Sequence, residues 1–432
     1  MAITVWMAAA VAGPGAPAEG RDDVTVQFSK ALSLNGSTRA TAYAMSNKII
    51  TAKGKVFVTW LDRIADVQMA TYDVAKKQWT PPVLVGRGVD NHGGPAITMD
   101  SSGHLYVAYG PHHGPFQFRR SMRPYDASAW GPVQRFGLKA TYPSLVCDGA
   151  DTLHCTYRGG PKSWLLMYQQ KPKGGRWSRP RVLVDPGGSY TYTQYGNPLA
   201  VAKDGTLHLA FHVYTEKKQL SGRGRALGYL RSRDGGATWE TAAGEKVTLP
   251  ATLKTDCFIE RGAKLNLRVG DLVLDGAGRP WLAAWHIGTR PRTVLLWHHD
   301  GVRWRSRDLL PFVEKRLPGH ELAMGTLTFD RDGVLYVAAV VRKAGGSDKT
   351  WFGHPTKEVA LLTSVNGGKT FRVRPISTPD PTLPNWLPSI ERPYGPRPIG
   401  VPSFLYTHGN KGTFGDCRSG AGTEVRFVRL AK

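Results

Sequence analysis

Short apolar runs with alternating polar positions recur along this chain from about residue 50 onward. Each run follows a turn residue and is rich in the β-branched and aromatic residues that favour strands. Six of these runs are GKVFVTW (54–60), GHLYVAY (103–109), DTLHCTY (151–157), GTLHLAF (205–211), GRPWLAAW (278–285) and GVLYVAAV (333–340). Long helical periodicities are missing. The pattern therefore predicts an all-β protein built from repeated units.

Each repeat also contains a turn that is followed by an aromatic residue. These aromatics are Trp79, Trp130, Trp177, Trp239, Trp304 and Phe371, which lie 51, 47, 62, 65 and 67 residues apart. Four short antiparallel strands with their turns fill a period of about 50 residues. Blades of this size, repeated around an axis, form a β-propeller, and closing the ring removes exposed sheet edges.

Six marked units and the C-terminal runs SFLYTHG and EVRFVRLAK together predict a seven-bladed β-propeller of four-stranded antiparallel blades. We expect a strand near Val24–Leu34 to complete the last blade beside the C-terminal strands, so that N- and C-terminal strands close the ring. A β-helix is the alternative, but its rungs are far shorter than this period.

Two turns within the repeats resemble Asp-boxes, which have the pattern S-x-D-x-G-x-T-W. SRDGGATW (232–239) fits this pattern closely, and SVNGGKTF (364–371) is a diverged copy. In such a turn the Asp or Asn side chain caps the backbone and the aromatic packs beneath it. The boxes favour a propeller and carry no information about chemistry.

The charge of the chain favours a polyanionic partner. There are 57 lysines and arginines against 33 aspartates and glutamates, a formal net charge of +24. The basic residues are scattered, and no basic helix or nucleic-acid motif is present, so we expect an acidic or sulfated polysaccharide and no nucleic acid. A basic working environment is the alternative explanation.

The first 20 residues combine a short apolar run with an A-P-A end that resembles a cleavage site, without a basic start. We interpret residues 1–20 as a truncated signal peptide and residues 21–432 as a single β-propeller catalytic domain. No segment is long enough to insert in a membrane. We therefore expect a secreted or periplasmic protein, and a monomer.

The four cysteines do not form a recognisable metal motif. Cys147 and Cys155 flank a turn, and either a disulfide or two buried thiols would fit. Cys257 together with His286, His298 and His299 makes a structural zinc a weak hypothesis, since CxxC and HExxH spacings are absent.

Chemistry is concentrated around one predicted hairpin, DNHGGPAITMDSSGHLYVAYGPHHGPFQFRRS (90–121). His92 precedes its first strand and His112 follows its second, so an antiparallel hairpin returns both to the same end. Two imidazoles on glycine- and proline-rich loops favour proton-transfer chemistry. Two ordinary surface histidines are the alternative.

The next hairpin brings Tyr142 and Arg158 to the same end in the same way. A further stretch, SYTYTQYGNP, adds Tyr190, Tyr192 and Tyr195 before the following strand. Each residue alone is also explained by packing or solvation. Their recurrence at equivalent positions of successive blades favours a shared site.

These residue types fit β-elimination next to a uronate. No Ser-His-Asp order and no pair of carboxylates stands out, although glycoside hydrolysis normally needs two carboxylates. An arginine could hold the uronate carboxylate and make the C5 proton acidic. A tyrosine or a histidine could remove that proton while a second group protonates the departing O4. The reaction needs no metal and no redox cofactor.

The segment HGGPAITMDSSGHLYVAYGPHHGPFQFRRS, followed by TYPSLV and TYRGG, resembles the BNR-repeat propeller family that includes ulvan lyases. The similarity runs from about residue 40 and is densest between residues 92 and 197. It implies a seven-bladed propeller, export, and cleavage of a sulfated polysaccharide beside glucuronate or iduronate. The resemblance implies that His92, His112, Tyr142 and Arg158 are catalytic, and it implies no metal at the site.

Substrate-binding residues follow less directly from this resemblance. Tyr192 or Tyr195 would be a further substrate contact, and we add His113, which replaces the commoner Asn, and Arg119 at the rim. Phe118 stands where a Tyr is common. Two alternatives are a sialidase-like glycoside hydrolase, which would need three clustered arginines and a Tyr–Glu pair, and a non-catalytic glycan-binding propeller.

Overall fold

The structure, a computed structural model, describes residues 24–161, 164–187, 196–215, 223–262, 265–286, 291–345, 354–409 and 422–432. Within these ranges nearly all regular structure is β-strand. One α-helix, α1, spans Leu310–Arg316, and one 3₁₀ turn spans Arg63–Ala65. Neither of these is long and apolar enough to cross a membrane. The all-β prediction is therefore confirmed for the described part of the chain.

The strands form six antiparallel sheets. The terminal sheet contains β1 (Thr25–Gly36) and three C-terminal strands given below. The first sheet along the chain contains β2 (Ile49–Ala52), β3 (Lys55–Leu61), β4 (Asp66–Asp73), β5 (Gln78–Trp79) and β6 (Val83–Arg87). The double sheet contains β7 (Ala96–Met99), β8 (Leu105–Tyr109), β9 (Gly114–Arg123), β10 (Asp126–Trp130), β11 (Gln134–Cys147), β12 (Leu153–Gly159), β13 (Leu165–Lys171) and β14 (Arg181–Val184).

The remaining strands form three regular four-stranded sheets and complete the terminal one. The three are β15 (Leu199–Val201), β16 (Leu207–Thr215), β17 (Arg223–Ser232) and β18 (Phe258–Arg261); β19 (Leu267–Leu274), β20 (Pro280–His286), β21 (Val294–His299) and β22 (Trp304–Asp308); β23 (His320–Phe329), β24 (Leu335–Lys343), β25 (Lys357–Ser364) and β26 (Arg372–Pro375). The terminal sheet adds β27 (Asn385–Ile390), β28 (Ser403–His408) and β29 (Thr423–Ala431).

The N-terminal strand lies beside the C-terminal strands. β1 pairs antiparallel with β29, from Thr25 opposite Ala431 to Gly36 opposite Thr423, and the sheet order is β1-β29-β28-β27. This is the position that the sequence predicts for a strand near Val24–Leu34.

The double sheet owes its size to the long strand β11, which changes partner along its length. Its first half, to Ala140, pairs with β9, and its second half, from Thr141, pairs with β12. Lys139 and Tyr142, on either side of this change, have φ angles of 46° and 61°. Non-glycine residues rarely adopt such left-handed conformations, so the partner change places strain where Tyr142 lies.

Packing between sheets follows the alternation of the sequence. Among the described residues, five hydrophobic core clusters each join two sheets that are neighbours along the chain. Another cluster joins the two halves of the double sheet. One more cluster packs Ile49, Val56 and Trp60 of the first sheet against Leu405 and Phe427 of the terminal sheet. Apolar burial therefore links the beginning of the chain to its end as well as each sheet to the next.

The two turns predicted as Asp-boxes share one hydrogen-bond pattern. The Asp234 carboxylate accepts hydrogen bonds from the Ser232 hydroxyl and the Thr238 backbone, and Trp239 is buried beneath. At the second turn Asn366 accepts from Ser364 and Thr370 in the same way. Both turns are structural, and both lie far along the chain from the predicted catalytic residues.

Cys147 and Cys155 are buried free thiols. The strand register places Cys155 opposite Leu145 and Cys147 opposite Leu153, so the two cysteines are offset by two residues across β11 and β12. Of the two alternatives left open by the sequence, the structure shows the unbridged one.

Candidate active site

Two loops hold the predicted histidines together at one end of the double sheet. His92 precedes β7 and His112 follows β8, and the loops are joined by a hydrogen bond from the Gly110 N–H to the Gly93 carbonyl, 3.1 Å. A Cβ on Gly93 would lie 2.8 Å from the Gly110 carbonyl oxygen, so only glycine permits this approach. The glycine-rich loops therefore set the distance between the two imidazoles.

His92 and His112 stack on each other and share one carboxylate, which belongs to Asp90. Their ring centroids lie 3.9 Å apart with an interplanar angle of 19°. The Nδ1 atom of His92 lies 2.9 Å from Asp90 Oδ1, and that of His112 lies 2.6 Å from Oδ2. Asp90 also accepts the His92 backbone N–H at 2.7 Å. This arrangement, called the histidine pair below, fixes both rings at once.

Electrostatics determine the protonation state of this unit. Burial would raise the pKa of Asp90, but hydrogen bonds from His112 and His92 outweigh it and hold that pKa well below its usual range. An ionised carboxylate only accepts, so both rings donate through Nδ1–H. Burial, together with the charges of Arg39 and His112, lowers the pKa of His92 to about 3 although Asp90 opposes the shift. His92 is therefore neutral near pH 7, and its Nε2 lone pair is an acceptor.

Tyr142 lies beside the histidine pair in a constrained position. Its ring centroid is 6.1 Å from that of His92 and 4.5 Å from that of Tyr43. The guanidinium carbon of Arg158 lies 4.4 Å from the centre of the Tyr142 ring. Arg158 is fully buried, so its charge acts on Tyr142 through a medium of low dielectric.

The other side of the histidine pair continues through two more rings. His113 lies 4.0 Å from His112 and stacks on Trp164 at 4.1 Å, and Arg158 lies 5.2 Å from the centre of the Trp164 ring. Burial, and then the charges of His112 and Arg158, lower the pKa of His113 to about 4. Six side chains thus contact one another in a closed loop, called the ring cluster below: Tyr142, His92, His112, His113, Trp164 and Arg158.

A second cation approaches the ring cluster from the connection between β1 and β2. Arg39 donates a hydrogen bond to the Tyr43 hydroxyl at 2.7 Å, and its charge is among the causes of the low pKa of His92. The Lys48 Nζ donates to the carbonyls of Tyr43 and Ser46, and burial holds the pKa of Lys48 well below its usual value. This connection therefore supports the tyrosine side of the ring cluster and adds positive charge beside it.

The sequence predicted four members of the ring cluster as catalytic and His113 as a substrate contact, and the structure brings these five together. Sequence reasoning missed Asp90, Trp164 and the Arg39–Tyr43 pair. A signal existed for Asp90, which stands two residues before His92 in D-x-H spacing, and for Trp164, which follows Arg158 at the same strand end.

The remaining predicted contacts lie elsewhere. The Arg119 guanidinium donates to the backbone carbonyls of Gly131, Val85 and Trp130 at 2.5–3.0 Å, so its donors hold strands together and are not presented to a substrate. Tyr190, Tyr192 and Tyr195 lie outside the described residues.

Two metal hypotheses can be compared with the geometry. Among the described residues, Asp90, His92 and His112 are the group whose ligand atoms lie close enough to hold an ion, all within 4.8 Å of one another. In those same ranges Cys257 is not brought together with His286, His298 and His299: it packs in an apolar cluster, while His298 stacks on Trp281. The zinc site suggested from the sequence is therefore not assembled.

Comparison with known proteins shows that this chain is similar to proteins named ulvan lyases. It is 22% identical to an ulvan lyase of Alteromonas sp. (strain LOR) over 311 residues, 61% of this chain and 63% of that protein. It is 22% identical to an ulvan lyase of Pseudoalteromonas sp. (strain PLSV) over 276 residues, 53% of this chain and 55% of that protein. The chain thus spans less than two thirds of the curated relatives that it matches.

Solved structures with the same fold include two polysaccharide lyases. One, a PL25 ulvan lyase bound to a saccharide of glucuronate and sulfated rhamnose, superposes with a TM-score of 0.70 at 16% identity, covering 91% of this chain and 94% of that one. The other superposes with a TM-score of 0.58 at 14% identity, covering 93% and 99%. A family model described as a BNR repeat-containing family member matches residues 55–311. Since that model covers more than half of the chain, this protein belongs to the BNR repeat-containing family.

Proposed function

We propose that the ring cluster is the active site of a polysaccharide lyase that cleaves a sulfated, uronate-containing polymer such as ulvan by β-elimination. The observation that carries this proposal is the carboxylate-anchored histidine pair, with a neutral His92, beside a tyrosine that packs on a buried arginine. The relatives named ulvan lyases, and the similar structure that binds a glucuronate saccharide, support the choice of substrate.

The reaction needs three groups around the uronate. A base removes the C5 proton, the electron pair of the C5–H bond becomes the C4–C5 double bond, and the C4–O4 bond breaks as O4 takes a proton from an acid. Positive charge near the carboxylate stabilises the negative charge that develops on the uronate when the C5 proton is removed. The products are a C4–C5 unsaturated uronate and a polymer end with a free hydroxyl.

Tyr142 and one histidine of the pair supply the base and the acid. A neutral imidazole offers Nε2 as a proton acceptor, because Nδ1–H is committed to Asp90. The Arg158 cation against the ring of Tyr142 favours the phenolate form. The full burial of Arg158 favours this action through Tyr142 over the direct grip on the carboxylate that the sequence suggested. We therefore assign the carboxylate to Arg39, the other cation beside the ring cluster.

The composition of the ring cluster favours elimination over hydrolysis. The six side chains and their anchor include a single carboxylate, Asp90, and both of its oxygens are bound by the histidines. Glycoside hydrolases of the retaining and inverting types use two carboxyl groups. We propose that the elimination needs no metal or redox cofactor, because its groups are all proton carriers and cations.

At the level of architecture we infer a closed, seven-bladed propeller formed by residues 21–432 as one catalytic domain. The double sheet counts as two blades that share β11, and the terminal sheet is completed by β1. The cluster between the terminal sheet and the first sheet supports closure. We further propose that residues 1–20 direct export, that the protein acts outside the cytoplasm or in the periplasm, and that it is a monomer.

The test is an assay of the purified protein on a panel of ulvan, heparan, chondroitin and pectin-type polymers. The unsaturated uronate absorbs in the ultraviolet, so elimination gives a rising absorbance, whereas hydrolysis gives reducing ends without it. Rising absorbance with a sulfated uronate polymer supports the proposal. New reducing ends without absorbance would indicate a hydrolase, and binding without either product would indicate a glycan-binding propeller.

A further inference from the structure

A large cavity lies at the opposite end of the sheets from the ring cluster. It has a volume of about 690 Å³ and is formed by the hairpin turns at residues 202–206, 274–278 and 329–333 and by residues 392–398. The ring cluster lies where first strands begin and second strands end, as with His92 and His112. These turns join first strands to second strands, so they lie at the other end, and we call this space the turn-end cavity.

The carboxylates that line the turn-end cavity are occupied. Asp275 accepts the amides of its own turn and pairs with Arg279 at 2.9 Å. Asp330 accepts from the Tyr336 hydroxyl and pairs with Lys432, which also contacts Asp332. Arg279 and Lys432 are not lining residues, so the charges of Asp275, Asp330 and Asp332 are balanced from outside the cavity. The fourth lining carboxylate, Asp204, accepts the Thr206 backbone N–H and has no ion pair with a lysine or arginine in the described part of the chain.

Three cations of the lining pair with carboxylates, Arg231 and Arg233 with Glu240 and Arg392 with Asp271, and the other three form no such pair within the described residues. Across the described ranges, Lys203, Arg331 and Arg397 form no ion pair with a carboxylate. The Nη1 atom of Arg397 is buried and has no acceptor among the described residues, and neither does Nε of Arg392, whose side chain is 5% exposed. Buried guanidinium N–H groups without acceptors are costly, and an anionic ligand would satisfy them.

Arg397 also connects the turn-end cavity to a smaller one. Its guanidinium carbon lies 5.5 Å from the centre of the Tyr394 ring, and both residues line a second space of about 250 Å³ with Lys53 and Tyr125. Guanidinium groups bind carboxylates and sulfates through paired N–H groups, and aromatic rings pack against apolar ligand faces. This combination of cations and aromatics matches an acidic saccharide better than a lone inorganic anion.

We propose that the turn-end cavity is a second, non-catalytic binding site for a sulfate- or carboxylate-bearing saccharide, with Arg397 and Arg331 as the anion-binding residues. The choice of saccharide rests on the function proposed above. A second site at the far end would hold the polymer near the enzyme between cleavage events, and its benefit would appear with long chains and not with short ones.

The experiment measures binding by calorimetry in a Tyr142→Phe background, so that the ligand is not cleaved. The probes are a sulfated ulvan tetrasaccharide, its desulfated form, and inorganic sulfate. We expect two binding events for the tetrasaccharide, and the double change Arg331→Gln with Arg397→Gln should weaken one of them by about tenfold or more per lost guanidinium. The matched control is Arg123→Gln, an exposed arginine on β9 that should change nothing.

Several outcomes would overturn the proposal. One binding event that the double change leaves unaltered would refute it, and so would equal binding of inorganic sulfate and the tetrasaccharide. If the double variant does not fold, Lys203→Glu at the exposed rim is the substitute, and unchanged affinity there would count against the site. Absence of lyase activity with a binding event that depends on Arg397 would refute the proposed function and leave this site standing.

Discussion

The two ends of the sheets use polar side chains in opposite ways. At the ring-cluster end, groups satisfy one another: Asp90 binds both rings of the histidine pair, and Arg158 packs on Tyr142. At the turn end, carboxylates are taken by turn amides and by cations outside the cavity, which leaves Arg331 and Arg397 facing open space.

This difference suits the ring-cluster end to catalysis and the turn end to binding of an anionic chain. Proton transfer needs groups with fixed orientations and with protonation states set by their neighbours, which mutual contacts provide. Binding of an anionic chain needs charge that is still available to the ligand. Substitutions at the ring-cluster end should therefore change turnover, and those at the turn end should change affinity.

The largest effect is expected for Tyr142→Phe, which removes only a hydroxyl from the ring cluster. The ring contacts with Arg158 and His92 remain, so the protein should fold and bind its substrate. Loss of the proton-transfer group should lower kcat by about a hundred- to ten-thousandfold with little change in KM. Initial rates of ultraviolet absorbance on ulvan measure this. Near-normal turnover would refute the mechanism and favour the glycan-binding alternative.

The next largest effect is expected from a comparison of Arg158→Ala with Arg119→Ala. Arg158→Ala should lower kcat by about a hundred- to thousandfold because it removes the buried charge beside Tyr142. Arg119→Ala should instead lower the melting temperature and preserve kcat, because Arg119 bridges three backbone carbonyls. Kinetics and thermal melts of both variants decide this, with Arg158→Lys as the variant that keeps the charge. Equal, mild losses of activity in both variants would show that the charge of Arg158 does not act on the reaction through Tyr142.

Sequence periodicity predicted the part of the site that strand ends determine. An antiparallel hairpin places His92 near His112, and the next hairpin places Tyr142 near Arg158, independently of side-chain packing. These two contacts therefore follow from topology alone. The left-handed φ of Tyr142 could not be predicted, because such conformations are expected at glycine or asparagine and not at tyrosine.

Contacts between segments far apart in the chain also could not be predicted from the sequence. The connection that carries Arg39 and Tyr43 precedes the first repeat, and no local pattern shows that it packs against a hairpin a hundred residues further on. Burial of Arg158 is likewise a tertiary property, and it disfavours the substrate-clamp role that the sequence suggested for that residue.

A smaller effect on turnover is expected for Asp90→Asn, which tests a positioning residue. The amide has one acceptor oxygen, so it cannot accept Nδ1–H from both histidines, and one ring must change its tautomer or its orientation. We expect kcat to fall by about ten- to a hundredfold with KM preserved, and the acidic limb of the pH profile to move. Asp126→Asn, a half-buried carboxylate at the start of β10, is the control. Unchanged kcat and pH profile would limit Asp90 to a structural role.

Acid stability should reflect the histidines that the fold keeps neutral. Burial is the main cause that lowers the pKa of His92 and His212 to about 3 and that of His113 and His208 to about 4. Each group binds its proton less readily when folded, so the stability it contributes is present above about pH 6.5 and is lost as the pH falls towards 4 and 3. Burial raises the pKa of Asp271 to about 6 and also raises the pKa values of Asp62, Glu260, Glu358 and Glu391, and these carboxyl groups contribute with the opposite sign.

The melting temperature should therefore fall between pH 6.5 and pH 4, with the histidines outweighing these carboxyl groups. Differential scanning calorimetry across this range is the measurement. A melting temperature that stays constant or rises on acidification would contradict the assignment of these rings as neutral in the folded protein.

The smallest effect, none at all, is expected from metal removal, and the stacking of the histidine pair is the reason. A metal held by two imidazoles lies in both ring planes, on the lone pair of each nitrogen, at about 2.0–2.1 Å for zinc. The rings of His92 and His112 are stacked, 19° from parallel with centroids 3.9 Å apart, so one ion cannot lie in both ring planes at bonding distance. Their Nδ1 atoms are bound to Asp90.

Dialysis against EDTA should leave kcat/KM unchanged, and added Zn²⁺ should not raise it. Activity lost to EDTA and restored by a divalent cation would mean that the pair opens to take a metal, and Asp90→Asn would then abolish the restoration.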